Sequence, residues 1–256
     1  MNTISLISLY GLLFGLLGTT LGGIIGIILN LKSKNFLNYI LSFTAGLMLS
    51  IICFELVPES IFSSHILYTI IGLLVGIFFM YIINLITNKE LHFLSPILKT
   101  SFIIFIGLTL HNLPEGISIG AGFVQSKTLG ISLGFAILLH DIPEGILVAS
   151  PMRASGVSKI KSLALTIISG LSTGVGAFIG ANISQINEKF ISLSLSFAAG
   201  AMLYIVAFEL LTSSFNKKEN TISSTIFIIG IILGIFFLLW HTKNPQLDNK
   251  LWILSF

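Results

Sequence analysis

Long apolar runs broken by short polar stretches set the plan of this chain. Eight runs, near 5–29, 36–58, 65–87, 97–122, 128–150, 160–182, 190–213 and 223–241, have the length of a helix that crosses the hydrocarbon core of a bilayer. A transmembrane barrel would show shorter segments of alternating polarity instead. The polar breaks hold Lys32 and Lys34, Glu59 to Ser64, Asn88 to Pro96, Gln125 to Lys127, Pro151 to Lys159, Asn187 to Lys189, and Asn216 to Asn220. None is long enough for a separate domain, so residues 1–256 are expected to form one transmembrane domain, an all-α bundle of eight helices.

Composition agrees with this pattern. With 54% hydrophobic and 9% charged residues, the chain has too little polar surface to cover a soluble globule. Asn2-Thr3 ahead of Ile4 lacks the basic region and the cleavage site of a signal peptide, so the first run is expected to stay in the mature protein. The single cysteine, Cys53, lies in an apolar run; it excludes an intramolecular disulfide and a thiolate metal cage, and is expected to pack as a small apolar residue. The net charge of +3 raises the question of nucleic acid, but the basic residues are scattered through short loops and report orientation instead.

Nine of them (Lys32, Lys34, Lys89, Lys99, Arg153, Lys159, Lys161, Lys217 and Lys218) fall on one set of alternate loops, against Lys127, Lys189, Lys243 and Lys250 on the other. The positive-inside rule then places the first set in the cytoplasm of a multi-pass cell-membrane protein, with both termini on the non-cytoplasmic side. Trp240 and Trp252 suit an interfacial belt at the end of the last span.

The spans contain an internal repeat. Ser42-Phe43-Thr44-Ala45-Gly46-Leu47-Met48-Leu49 leads to Phe54-Glu55-Leu56, and Ser196-Phe197-Ala198-Ala199-Gly200-Ala201-Met202-Leu203 leads to Phe208-Glu209-Leu210, with 196 − 42 and 209 − 55 both giving 154. These spans, the second and seventh, cross in opposite senses. The fourth and fifth carry a second pair, His111-Asn112-Leu113-Pro114-Glu115-Gly116 and His140-Asp141-Ile142-Pro143-Glu144-Gly145, offset by 140 − 111 = 29. Spans one to three echoed by six to eight around a central pair make an inverted repeat, an arrangement found mostly in transporters, with substrate near the midplane.

The central pair carries the chemistry. Intramembrane ionisable groups are rare and mark pathways by default. His111 and Glu115 are four residues apart and share one helix face, as do His140 and Glu144. Antiparallel crossing brings two imidazoles and two carboxylates to one depth, a donor set that suits zinc, iron(II), manganese or cobalt, while the lack of thiolate argues against copper(I). Asn112 and Asp141, about 100° further round each helix, reach the flank of this cage or a second cation beside it, which Glu115 and Glu144 can bridge. Pro114 and Pro143 displace the carbonyls of Leu110 and Leu139, which can line a cavity, and Gly116 and Gly145 allow bending or close approach. Met48 and Met202, at matching repeat positions, are possible thioether donors but more often fill gaps. Glu55 and Glu209 are placed near opposite mouths; Glu59, His65 and His92 are expected in loops.

These two phrases resemble the fourth- and fifth-span signature of the ZIP (zinc/iron-regulated transporter-like) metal transporters, especially their compact bacterial branch. The resemblance extends to the eight spans, the outside termini and Ala45-Gly46-Leu47-Met48-Leu49 ahead of Phe54-Glu55-Leu56. It implies uptake of zinc and related divalent ions, including cadmium, into the cytoplasm. His111, Glu115, His140 and Glu144 then match a primary metal site, with Met48 as a further contributor, and Asn112 and Asp141 match a neighbouring second site sharing both glutamates. It also implies a homodimer, an elevator-like or rocking alternation, and no prosthetic group beyond the transported cation. Two departures stand out. Thr173, in Ser169-Gly170-Leu171-Ser172-Thr173-Gly174, takes the place where many members carry glutamate, and the loop after the third span has no His-rich tract.

Two functions follow. One is a secondary transporter or permease for divalent metal, since nothing resembling an ATP-binding motif is present. The other is an intramembrane metal-dependent hydrolase or di-metal enzyme using the same ligands to activate water. A separate general base or oxyanion group is not evident for the latter, and an enzyme has no need of inverted repeats.

Overall fold

The computed structural model of the chain describes residues 3–28, 34–90, 93–125, 127–183, 188–214 and 220–242. Apolar helices account for nearly all of them, and no strand occurs among the described residues. In chain order they are α1 (Thr3–Ile28), α2 (Lys34–Ile51, continuing into Val57–Ser63), α3 (Ile66–Glu90), α4 (Pro96–Gln125), α5 (Lys127–Ala154), α6 (Lys159–Ile183), α7 (Glu188–Tyr204, continuing into Leu211–Ser214) and α8 (Asn220–Thr242). Seven are long and apolar enough to cross a membrane, and α8 adds a shorter apolar stretch, Thr221–Phe236. The all-α multi-span reading holds.

Local details differ from expectation. α2 runs to Ser63, so Glu59 lies on a helical turn and not in a loop; Pro58 follows directly on the widened segment Ile52–Leu56, in the first turn of Val57–Ser63. Cys53 is exposed on the outer face of α2 beside Phe54, where a thiol meets lipid at little cost, so it does not pack inside. α4 and α5 remain helical through Pro114 and Pro143. Lys32, Lys217, Lys218, Lys243, Lys250, His92 and Trp252 lie outside the described residues.

The helices sort into two groups. In one, α1 packs on α5 and α6, and α4 packs on α6 and α5; in the other, α2 packs on α8, α3 on α7, and α2 on α7. Contacts of α4 with α7 and of α2 with α5 join the groups. Small residues make the packing close, as expected where lipid removes the hydrophobic drive for helices to associate.

The repeat predicted from sequence recurs in this packing. A Cβ on Gly116 of α4 would fall 2.0 Å from the Thr173 carbonyl oxygen of α6, and one on Gly145 of α5 would fall 2.2 Å from the Thr19 carbonyl oxygen of α1. The pairing keeps both offsets: 145 − 116 is 29, and 173 − 19 is 154. Likewise a Cβ on Gly176 would meet the Leu113 carbonyl, and one on Gly22 the Ile142 carbonyl, each at 2.0 Å. The α1–α5 seam is therefore a copy of the α6–α4 seam. The copies are inverted: along α1, Gly11, Gly15 and Gly23 face Ala177, Thr173 and Thr166 of α6 in descending order, so the two helices run antiparallel.

α2 and α7 show the same relation. Each contains one π-helical segment, Ile52–Leu56 and Ile205–Leu210, around Phe54-Glu55-Leu56 and Phe208-Glu209-Leu210. Such widened turns cluster at functional positions.

Close backbone approach makes a testable distinction between glycines. Gly176→Ala drives a methyl into a carbonyl and should cost about 1–3 kcal/mol of stability. Gly122→Ala meets only the Leu133 Cδ1 tip, 2.7 Å away, and should cost less because that side chain can turn aside. Thermal melts of the two variants in detergent check the order.

Candidate metal centre

The His-x₃-Glu phrases lie halfway along α4 and α5, inside the apolar spans. The two helices pack on each other. His111, Asn112 and Asp141 are fully buried, and Glu115 and Glu144 are each 2% exposed. A carboxylate in such surroundings is costly unless a countercharge or hydrogen bonds meet it.

The geometry supplies a common partner. His111 Nε2 lies 2.8 Å from Oε1 of Glu115, one turn along α4, and 3.5 Å from Oε1 of Glu144 on α5. The four-residue spacing gives the first approach and the helix crossing gives the second. One imidazole nitrogen thus sits between carboxylates of both helices. The backbone of His140 continues α5, while its side chain lies outside the described residues. Among the described residues, no group of three or more His, Cys, Asp or Glu side chains forms a closed metal cage. What the structure brings together is His111, Glu115 and Glu144.

Asn112 and Asp141 stand beside this trio for reasons set by α6 and α1. The Asn112 amide donates from Nδ2 to the Ser169 carbonyl oxygen at 3.2 Å and approaches Ser169 Oγ at 3.5 Å. That fixes the amide, leaving Oδ1 buried with no hydrogen-bond partner. Asp141 rests against α1, where a Cβ on Gly18 would come within 2.5 Å of its own Cβ. One turn earlier, a Cβ on Gly15 would lie 2.6 Å from Thr173 Oγ1. The missing side chains of Gly15 and Gly18 make room for Thr173 and Asp141. Sequence reasoning passed over Ser169, Gly15 and Gly18; the signal was the small-residue stripe Gly11, Gly15, Gly18, Gly22 and Gly26 along one face of α1.

Met48 is fully buried in the apolar core with Leu41, Met80 and Met202. Glu55 is half-buried in the π segment of α2. Glu209 is buried and accepts a hydrogen bond from Asn84 Nδ2 at 3.2 Å; the same nitrogen lies 2.7 Å from Tyr204 Oη. With Asn84, Asn88, Lys99 and Thr100 it lines a cleft of about 310 Å³ between α3, α4 and α7, as part of a polar cluster. His65 caps the start of α3, its Nδ1 accepting from the Leu67 N–H at 3.2 Å.

The family model described as "ZIP Zinc transporter" matches residues 89–240, which span both His-x₃-Glu phrases and the α6 and α7 segments around them. The chain belongs to the ZIP family. Among similar proteins, zinc transporter GufA of Myxococcus xanthus is 32% identical over 142 residues, covering 54% of this chain and 56% of GufA. Zinc transporter ZIPB of Bordetella bronchiseptica is 29% identical over 130 residues, 50% of this chain and 42% of ZIPB. The chain thus spans about half the length of these two relatives. Zinc transporter ZupT of Chlorobaculum parvum is 27% identical over 244 residues, 85% of this chain and 89% of ZupT. In this ZIP chain the central trio is also a structural tie between α4 and α5. His111→Ala removes the nitrogen that both glutamates face and should lower stability by about 3–5 kcal/mol, the range for breaking a buried ion pair. Unfolding of the metal-free variant in detergent, beside His111→Gln as a size control, measures it.

Proposed function

We propose that this chain is a permease that carries divalent metal cations, zinc first among them, through the membrane into the cytoplasm. The observation that carries this reading is the imidazole of His111 held between Glu115 and Glu144 halfway along two membrane-spanning helices. Fully buried carboxylates beside an imidazole suit a borderline divalent cation, and its charge offsets their burial. Membership of a family of zinc transporters, and the similarity to zinc transporters GufA, ZIPB and ZupT, favour transport over the hydrolase alternative.

In this reading His111, Glu115, His140 and Glu144 hold the transported ion, with Met48 an additional thioether. Asn112 and Asp141 serve a second position that shares both glutamates. Iron(II), manganese, cobalt and cadmium are accepted to differing degrees, since an N/O cage selects among them only by geometry. The distribution of lysine and arginine supports a topology with both termini on the non-cytoplasmic side of the cell membrane. The α1, α4, α5 and α6 group carries the site in an elevator-like or rocking motion against the α2, α3, α7 and α8 group, each chain pairing with a second copy. A dication falling through 100 mV gains about 4.6 kcal/mol, at roughly 2.3 kcal/mol per charge, enough to drive entry without a coupling ion.

Sealed liposomes loaded with a zinc-sensitive dye test the proposal. Saturable zinc entry is expected with the wild-type chain, and entry at the protein-free rate with Glu115→Ala or Glu144→Ala. Folded wild-type protein that binds zinc without admitting it would sink the transport reading. The room that α1 leaves is a second target. Gly18→Ala, which crowds Asp141, should weaken zinc binding by about 10–100-fold, the usual effect of disturbing a supporting shell. Calorimetric titration in detergent measures the loss.

A further inference from the structure

At the end of the bundle where α3 turns into α4, one carboxylate is hydrogen-bonded from both helix groups. Glu209, in the π segment of α7, is buried and oriented by its own group. Asn88 Nδ2 donates to Asn84 Oδ1, and Asn84 Nδ2 reaches Glu209 Oε1 at 3.2 Å and Tyr204 Oη at 2.7 Å. Tyr204 is held in turn by its stack on Phe208, with ring centroids 4.7 Å apart. From the other group, the Thr100 hydroxyl of α4 donates to the Glu209 carboxylate, and Lys99 lines the same cleft. The core of the joint between the groups is apolar, so this hydrogen bond is a directional tie at the end of a surface that can repack.

The inverted repeat shows that the tie belongs to one end only. α3 and α8 keep the 154-residue offset: a Cβ on Gly76 would lie 2.2 Å from the Phe197 carbonyl oxygen, and one on Gly230 would lie 2.2 Å from that of Phe43. By the offsets of 154 and 29, Glu209 has Glu55 as its mate, but Tyr204, Asn84 and Thr100 answer to Ser50, Leu238 and Leu129. Ser50 donates its hydroxyl to the Leu47 carbonyl of its own helix at 2.6 Å. In an inverted repeat the two end states of an alternation are related by exchanging the conformations of the two halves. A contact without a counterpart at the other end therefore favours one end state.

We propose that Thr100 and Glu209 form a latch across the two helix groups, which holds the arrangement described here as the resting state of the permease and opens when the groups move. This rests on the alternation proposed above. Opening leaves neither partner stranded. Glu209 keeps its hydrogen bond from Asn84, and Thr100 can turn its hydroxyl to a carbonyl one turn earlier on α4, as helical threonines do. What is lost is one hydrogen bond to a carboxylate, which shifts a two-state balance by about tenfold or more. That is enough to choose a resting state and little enough to open during transport. Thr100 and Glu209 are thus positioning residues for transport, remote from the trio of His111, Glu115 and Glu144.

The test measures the distance between the groups in the full-length chain. Spin labels are placed on Glu90→Cys of α3 and Ile160→Cys of α6, both exposed, with the exposed native thiol removed by Cys53→Ser. Double electron–electron resonance in lipid nanodiscs, with and without zinc chloride, reads the distance distribution. With Thr100 in place, one distance should dominate in the metal-free protein. Thr100→Val keeps the shape but removes the donor, and should raise the ratio of a second distance to the first by about tenfold or more. Thr100→Ser keeps the hydroxyl and should retain the original ratio. Glu209→Met should match Thr100→Val, and the double variant should go no further, as expected of two halves of one contact. Size-exclusion profiles establish that each variant is folded, and Thr100→Val with Thr100→Ser decides the matter if Glu209→Met is not. A folded Thr100→Val with the original distribution, or a Thr100→Ser that behaves as Thr100→Val, overturns the latch, and a shift on adding zinc then leaves the alternation standing. One distance in every variant, with and without zinc, overturns the alternation as well.

Discussion

Holding two carboxylates and an imidazole inside apolar helices is the constraint on which the rest of this structure turns. Each buried charge costs several kcal/mol unless it is matched. Glu115 and Glu144 meet that requirement by facing one nitrogen of His111 from two helices. For this to happen α4 and α5 must cross at their midpoints with the polar faces inward, and neither neighbour may intrude. α1 and α6 comply by presenting glycine, serine and threonine where larger residues would collide. A Cβ at Gly15, Gly18 or Gly116 would overlap the atoms of the site or the backbone that carries them.

The inverted repeat explains how one chain achieves this twice. The seam of α1 with α5 and that of α6 with α4 use the same spacings and the same carbonyl contacts, so one packing solution serves both halves of the centre. Strict symmetry would make the two halves chemically equal. They are not: asparagine stands where its mate is aspartate, and Thr173 lacks the back-bond that its mate Thr19 makes. These two departures from symmetry sit at the polar centre, where chemistry rather than packing selects the side chain.

How much of this was legible in the sequence follows from what each signal depends on. Eight spans could be read because length and hydropathy are properties of one segment. The His-x₃-Glu phrases stood out because polar residues in an apolar run have few explanations. Cys53 and Glu59 were misplaced: the first needs the outward face of a π-containing helix, and the second a helix that continues beyond Pro58. Gly15, Gly18 and Ser169 were passed over because a small residue is uninformative until its neighbour is known. The sorting of helices into two groups was likewise hidden, since it depends on pairings between distant parts of the chain. Glu209 was placed near a mouth of the bundle, but its hydrogen-bond partner Asn84 lies more than a hundred residues away in the chain.

The two groups also differ in how they are joined, and that difference bears on the proposed alternation. Within each group, helices meet backbone to backbone: Gly116 against Thr173, Gly22 against Ile142, Gly46 against Phe227 and Gly200 against Leu73 all approach carbonyl oxygens within 2.2 Å of a would-be Cβ. Such seams cannot slide without losing van der Waals contact along their whole length. Between the groups the joint is of another kind. Among the described glycines, Gly107 of α4 alone faces across it, and what it meets are side-chain tips, Ile205 Cδ1 and Met80 Cε. The shared core there is built from Met48, Met80, Ile104, Leu108, Leu147 and Met202; none carries an N–H or O–H to leave unsatisfied, and the three methionines are unbranched and repack readily. Rigid seams inside the groups and an adaptable apolar joint between them are what a rigid-body motion requires: the centre on α4 and α5 keeps its geometry while the surface against which it is buried can change.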